Sequence, residues 1–413
     1  MGASVLPKEI QSSLQNLIEQ KLEIKDYDLS FSKGSSKGDN YLGVLTRVTV
    51  TEKNDKVANP RIFNLIIKSA PQSEEFRKYI KIEILHGREV CMYEQVFPEL
   101  KRFQEEVGLE DIFYPVPKCY KTSNVAPYEH LILEDMTANG YEMKNRKIVT
   151  DLNHSMEVLK AYGKYHALCL ALKIKEPEVF DNLVELTKET YFANVNLENL
   201  CGTIKAVIDK VTQKLDQDKD RKLIKKLDEF IKFPVNGLLE NLSIKAANGD
   251  AVFSHGDSWI NNILFKYEDN SSWPSKICFL DWQLSRCASP AIDISYFIFS
   301  CTDKMLRAHH YEDLLNAYHS SLLSFLKQLG CDLDIFSKEK LLDNMKRFSK
   351  YGLMMCLITI PLAAAEMDEI PDWTNDMKEE ERTKMFSQER KSEKYIINKL
   401  IDVVRDFDKL EYI

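Results

Sequence analysis

The sequence contains no Cys-x-x-Cys pair. Its nine cysteines are scattered singly, so a disulfide framework is not expected, and reduced thiols point to an intracellular, cytoplasmic setting. Basic charge is not in excess either. A formal net charge of −8 argues against nucleic acid as a general partner, while leaving room for a local basic patch. Long apolar runs are missing too. The most apolar stretch, Leu353 to Ala365, is interrupted by Pro361 and is too short to span a bilayer, so a buried helix is expected there. Among the eight histidines, the pair His309-His310 has no further ligand at metal-site spacing, and no zinc site is expected. Met1 to Leu6 lacks the basic region and apolar run of a signal peptide, and Leu6 stands where N-myristoylation needs Ser or Thr. No repeat, low-complexity tract or long linker divides the chain.

The 413 residues are enough for two lobes around a shared cleft. Ile10, Leu14, Leu17 and Ile18 recur at helical spacing. Leu29-Ser30-Phe31, a polar turn with glycines, and Tyr41 to Val50 then read as strand, loop and strand. Such a loop brings backbone N–H groups close to anions, although a plain hairpin would also want glycines. Ile62 to Ile67 is a strand ending in Lys68, followed by a helical pattern that holds Glu89 among Leu85, Met92, Tyr93 and Val96. A buried lysine needs a carboxylate to aim it. Glu74, Glu75 and Glu83 compete with Glu89, which is favoured by its apolar neighbours. Tyr114 to Pro117 and His130 to Leu133 read as further strands. From Thr150 the pattern is helical, with Asp151 or Thr150 as cap and His166 as a packed core residue.

Chemistry concentrates in Val252 to Phe265. Asp257 precedes Asn262 by five positions between apolar runs, and Ile277 to Leu280 is a short strand that delivers Asp281-Trp282-Gln283. Phosphoryl transfer calls for one carboxylate to take the proton of the attacking hydroxyl, and for an amide and a second carboxylate to hold Mg²⁺. Asp257 fits the first role, Asn262 and Asp281 the second. His255 braces the loop. Ser258 and Asn261 either line the site or fill the turn, and Gln283 is a candidate assistant to Asp281. Singly, an Asp or Asn in such a turn is an ordinary local hydrogen-bonder; the combination carries the reading.

His-Gly-Asp-Ser-Trp-x-Asn-Asn followed by Asp-Trp-Gln resembles the small-molecule phosphotransferases such as aminoglycoside and choline kinases, and more closely the insect ecdysteroid kinase-like family. Ile-Ile-Lys68 with Glu89-x-x-x-Tyr93 and the segment Gly38-Asp39-Asn40-Tyr41 fit that resemblance; Gly43 departs from the Ser often found there. The resemblance implies an α+β, two-lobed protein-kinase-like fold, with a small antiparallel-sheet N-lobe (1–134) and a larger, mostly helical C-lobe (135–413). It further implies ATP and Mg²⁺ as cofactors, with Gly38, Asp39, Asn40, Lys68 and Glu89 toward the phosphates and Glu134 and Met136 at the adenine hinge. Asp293 would cap its helix or bond the catalytic-loop backbone. The acceptor implied is a hydroxyl of a small hydrophobic molecule, an ecdysteroid or a xenobiotic or dietary alcohol, handled by a monomer with no membrane span. The 353–365 segment and Trp373 are candidate pocket walls, and 376–413 reads as surface helices. Three rivals stay open. A protein kinase would carry Asp-Phe-Gly and Ala-Pro-Glu, which are missing here. A silent kinase-fold binding protein and a choline-type kinase with a cation pocket are the others.

Overall fold

The computed structural model describes residues 6–34, 43–53, 60–268, 271–366, 369 and 390–413. Gly38, Asp39, Asn40, Trp373 and all of 376–389 lie outside the described residues.

The first lobe runs α1 (Lys8–Asn16), β1 (Tyr27–Lys33), β2 (Val44–Glu52), β3 (Ile62–Ser69), α2 (Glu74–Ile80), α3 (Ile82–Cys91), α4 (Phe97–Val107), β4 (Cys119–Ser123) and β5 (His130–Glu134). Its five strands form an antiparallel sheet in the order β1-β2-β3-β5-β4. The period of two along a strand divides the faces. Val48, Val50, Leu65 and Ile67 turn to one side and are buried with Ile10, Leu14 and Ile18 of α1 and its continuation. Leu45, Arg47, Ile66 and Lys68 therefore share the opposite side, which lines a cleft. Lys81, with φ +54°, breaks the helix between α2 and α3. A π-turn over Met92–Val96 then joins α3 to α4. The expected strand at Tyr114–Pro117 does not form. Pro115 and Pro117 carry no N–H for a ladder, and the strand begins only at Cys119.

The second lobe comprises β6 (Tyr141–Met143), α5 (Leu152–Lys175), α6 (Pro177–Leu186), α7 (Tyr191–Asn194), α8 (Leu197–Thr212), α9 (Arg221–Phe230), α10 (Phe233–Asn236), α11 (Leu238–Asn241), β7 (Val252–Ser254), β8 (Ile263–Tyr267), β9 (Pro274–Phe279), β10 (Arg286–Ala288), α12 (Ala291–Cys301), α13 (Lys304–Gln328), α14 (Lys338–Phe348), α15 (Lys350–Ala364) and α16 (Glu393–Lys409). Asp151 caps α5 by accepting the His154 N–H at 2.9 Å. The expected α+β, two-lobed protein-kinase-like fold is present: a small antiparallel-sheet lobe against a mostly helical one.

The core of the large lobe gathers α5, α12, α13 and α15. Every residue of α12 is buried, as suits a helix that is apolar on all sides. α5 and α13 approach so closely at Gly163 that a Cβ there would lie 2.4 Å from the Tyr318 carbonyl oxygen. The 353–365 segment is the buried helix α15, with Pro361 inside it. α16 buries one face, including Leu400, Val403 and Phe407. Among the described residues, no helix is long and apolar enough to cross a membrane.

Candidate active site

β7 ends at Ser254 and hands the chain to His255-Gly256-Asp257. Asp293, in the first turn of α12, holds this loop. Its carboxylate accepts the N–H of His255 and of Gly256, each at 2.8 Å, and the Ser258 hydroxyl at 3.0 Å. The cap role is therefore not the one Asp293 takes. His166 on α5, fully buried, lies 3.3 Å from Asp293 and 3.0 Å from the Tyr318 hydroxyl. Burial alone would raise the Asp293 carboxyl, but His166, His255 and the Gly256 N–H outweigh it and hold it below its ordinary value. Gly256 sits at φ +77°, and a Cβ there would meet the Leu284 carbonyl oxygen at 2.1 Å. Only glycine fits.

His255 braces the loop as expected. Its Nδ1 accepts the Asp257 N–H at 3.1 Å, and its Nε2–H donates to the Leu280 carbonyl at 2.8 Å. Burial lowers its pKa, which favours the neutral ring this pairing requires. Ser258 also bonds the Tyr162 hydroxyl at 2.7 Å and is fully buried, so it belongs to the scaffold.

Both oxygens of Asp257 have donors. Oδ1 accepts the Tyr296 hydroxyl at 3.0 Å, and Oδ2 accepts Asn262 Nδ2 at 2.9 Å. Burial, followed by the negative charge of Asp281, raises the Asp257 carboxyl to about 7. Asn262 Nδ2 also donates to the Asp257 main-chain carbonyl at 3.0 Å, leaving the amide oxygen as the electron donor of that side chain. The Leu280 N–H donates to the Asn262 carbonyl at 2.8 Å, which stitches the two segments together.

Asp281 adopts a left-handed backbone, φ +65° and ψ +70°, uncommon for a residue other than glycine, although Asn and Asp take it more readily than most. Its Oδ1 lies 2.7 Å from Lys68 Nζ, and its Oδ2 accepts Gln283 Nε2 at 3.4 Å. Lys68 Nζ also donates to Glu89 Oε2 at 2.6 Å. Of the competing glutamates, Glu74, Glu75 and Glu83 are exposed whereas Glu89 is buried. Burial alone would depress the Lys68 ammonium, but Asp281 and Glu89 together hold its pKa above the ordinary value.

Lys68, Glu89, Asn262 and Asp281 line a cavity of about 630 Å³ between the lobes, with Leu45, Ile66, Leu133 and Leu264 as apolar walls; Asp257 lies behind that lining, reached through its bond to Asn262. Glu134, Met136 and Asn261 line it too. Among the described residues, no three His, Cys, Asp or Glu gather as a metal cage. One amide and one carboxylate, with phosphate oxygens and water to complete the shell, match the habit of Mg²⁺, so Asn262 and Asp281 fit that ion.

Sequence reasoning missed two features. One is Tyr296, whose position one turn after Asp293 on the same helix is the signal that it faces the same loop. Arg47 was passed over although strand alternation puts it beside Leu45 on the cleft side. It forms an ion pair with Asp135 and donates to the Thr137 hydroxyl at 3.0 Å, tying β2 to the hinge.

The sequence model of the ecdysteroid kinase-like family matches residues 37–331. A 4-hydroxytryptamine kinase from Psilocybe cyanescens is 28% identical over 64 residues, and the match spans 16% of this chain and 18% of that relative's length. Among solved structures, a choline kinase from Cryptosporidium parvum is similar at 14% identity and a TM-score of 0.48, covering 98% of both chains. A Plasmodium vivax ethanolamine kinase aligns at 14% identity and a TM-score of 0.42, over 92% of this chain and 81% of the other. The GDP complex of an aminoglycoside 2′-phosphotransferase IIIa variant aligns at 11% identity and a TM-score of 0.42, over 88% and 93%.

Proposed function

The chain belongs to the ecdysteroid kinase-like family, and from that premise we propose that this small-molecule kinase transfers the terminal phosphoryl group of ATP to a hydroxyl of a small hydrophobic molecule, an ecdysteroid or a xenobiotic or dietary alcohol. The observation that carries the reading is Lys68, which meets Glu89 at 2.6 Å and Asp281 at 2.7 Å in the cavity that Asn262 also lines.

In this reading Lys68, aimed by Glu89, binds the phosphates, helped by the glycine-bearing segment with Gly38, Asp39 and Asn40. The hinge at Glu134 and Met136 brackets the base. Asn262 and Asp281 would hold Mg²⁺, which would neutralise charge on the phosphate oxygens. Asp257 orients the acceptor hydroxyl and takes its proton. The acceptor oxygen bonds to the γ-phosphorus as the bond to the bridging oxygen breaks, and ADP leaves. Positioning and charge supply the catalysis, because the transition state asks for little covalent help. We also propose a lobe division after Glu134, where the last strand of the sheet in chain order ends, and a cytoplasmic monomer.

Incubating the purified protein with γ-labelled ATP, Mg²⁺ and a panel of ecdysteroids, plant phenolics, choline and 4-hydroxytryptamine tests this. Label is expected on a hydrophobic alcohol. Label on choline alone would transfer the protein to the choline-type reading. Ligand binding without any affinity for Mg·ATP would make it a silent binding protein.

A further inference from the structure

Next to Glu89 on α3 stands Arg88, also buried, whose guanidinium reaches across to the large lobe. Nη1 donates to the Leu186 carbonyl at 3.0 Å and Nη2 to the Lys188 carbonyl. These carbonyls belong to the end of α6 and the segment beyond it. A guanidinium has several donors and no acceptor; Leu186 and Lys188 are exposed residues whose carbonyls water can satisfy, so the unsatisfied side on opening is the buried Arg88 itself. The contact is therefore costly to open.

The segment Arg88 grips is itself joined to the catalytic loop. Glu189 accepts the Phe192 N–H at 2.7 Å and pairs with Arg286 Nε at 2.8 Å. Arg286 is 1% exposed and donates to the Tyr351 hydroxyl at 3.3 Å, which in turn donates to the Gly256 carbonyl at 2.6 Å. Gly256 precedes Asp257. Two neighbouring residues of one helix thus face the two halves of the site, Glu89 through Lys68 and Arg88 through the brace of the Asp257 loop.

We propose that Arg88 is a positioning residue that couples those halves, tying the turn of α3 that carries Glu89 to the segment that braces Asp257. This rests on the reading of Lys68 and Asp257 given above. A guanidinium that merely finished α6 would favour the carbonyl end of that helix and leave nucleotide binding untouched.

The test is calorimetric titration of Mg·ATP into the full-length protein and its variants. Arg88→Ala is expected to weaken Mg·ATP about tenfold, within the range of ordinary coupling energies; Arg88→Lys, which keeps a cationic donor but not the planar fork, should recover part of that loss. Glu189→Gln touches neither Lys68 nor the cavity, yet should weaken Mg·ATP about fivefold, the low end of ordinary coupling, and add little to Arg88→Ala. Wild-type affinity in Arg88→Ala, with only a lowered melting temperature, overturns the proposal, as does strict additivity with Glu189→Gln. Should Arg88→Ala not fold, Arg88→Lys is read the same way, wild-type affinity counting against coupling. Lys68→Ala serves as reference: if it leaves Mg·ATP affinity unchanged, the reading of the site fails, whereas loss there with none in the Arg88 variants fails the coupling alone.

Discussion

The floor beneath the cleft is the loop of Asp257, which is bonded to the cavity-lining Asn262; its N–H groups end on a fully buried carboxylate, Asp293, and its turn is fixed by a glycine that admits no Cβ. On the roof, Lys68 projects from an exposed-to-cleft strand face and is held by Glu89 and Asp281. The floor is set by backbone hydrogen bonds within one lobe. The roof is set by charges, one of which comes from the opposite lobe. Disturbing the floor should therefore damage chemistry or folding, and disturbing the roof should chiefly weaken nucleotide binding.

The largest expected effect breaks the floor's chemistry alone. Asp257→Asn should lower turnover by roughly two to four decades, the range for losing a general base, with Mg·ATP affinity nearly intact by calorimetry; wild-type-like turnover would remove Asp257 from that role. Gly256→Ala should break the floor's fold instead. A side chain at φ +77° against the Leu284 carbonyl is expected to cost about 3 kcal/mol in chemical denaturation. A change below 1 kcal/mol, roughly the level of an ordinary surface substitution, would show that the loop relaxes. Asp281→Asn sharpens the contrast. It should weaken Mg·ATP by roughly ten- to a hundredfold, about 1.4–2.7 kcal/mol, whereas Asp257→Asn should not.

Acid should loosen the roof as well. His86 on α3 bonds the Ser123 carbonyl at 2.9 Å, and burial lowers its pKa from 6.5 to about 4. The unfolded chain takes up the proton first, so stability is complete above the unfolded pKa and declines as pH falls toward the folded one. The loss should be about 2 kcal/mol by about pH 5. Denaturation curves of His86→Gln should lack that part of the decline; an unchanged pH dependence would exonerate His86.

Much of the floor was legible because its chemistry demands residue types in a fixed order: Asp257 and Asn262 stand five positions apart in one turn, and Asp281 follows β9, the strand that pairs with β8 directly after Asn262. Lys68 was legible as the last residue of an apolar strand. Its partner was harder to choose, because the break at Lys81, which decides which glutamates face inward, has no mark in helical periodicity. Tyr114–Pro117 misled because apolar residues suggested a strand that prolines cannot pair. Arg47 with Asp135 and Arg88 with the 186–188 carbonyls join residues distant in sequence. Nothing local marks such partners, and they become visible only once the helices and strands are packed.

The most direct measurement is a crystal structure of the protein with Mg²⁺ and a non-hydrolysable ATP analogue. The account predicts the ion on the Asn262 amide oxygen and the Asp281 carboxylate, Lys68 on the phosphates, and Asp257 facing the terminal phosphate. A metal elsewhere, or a nucleotide outside this cavity, would contradict it.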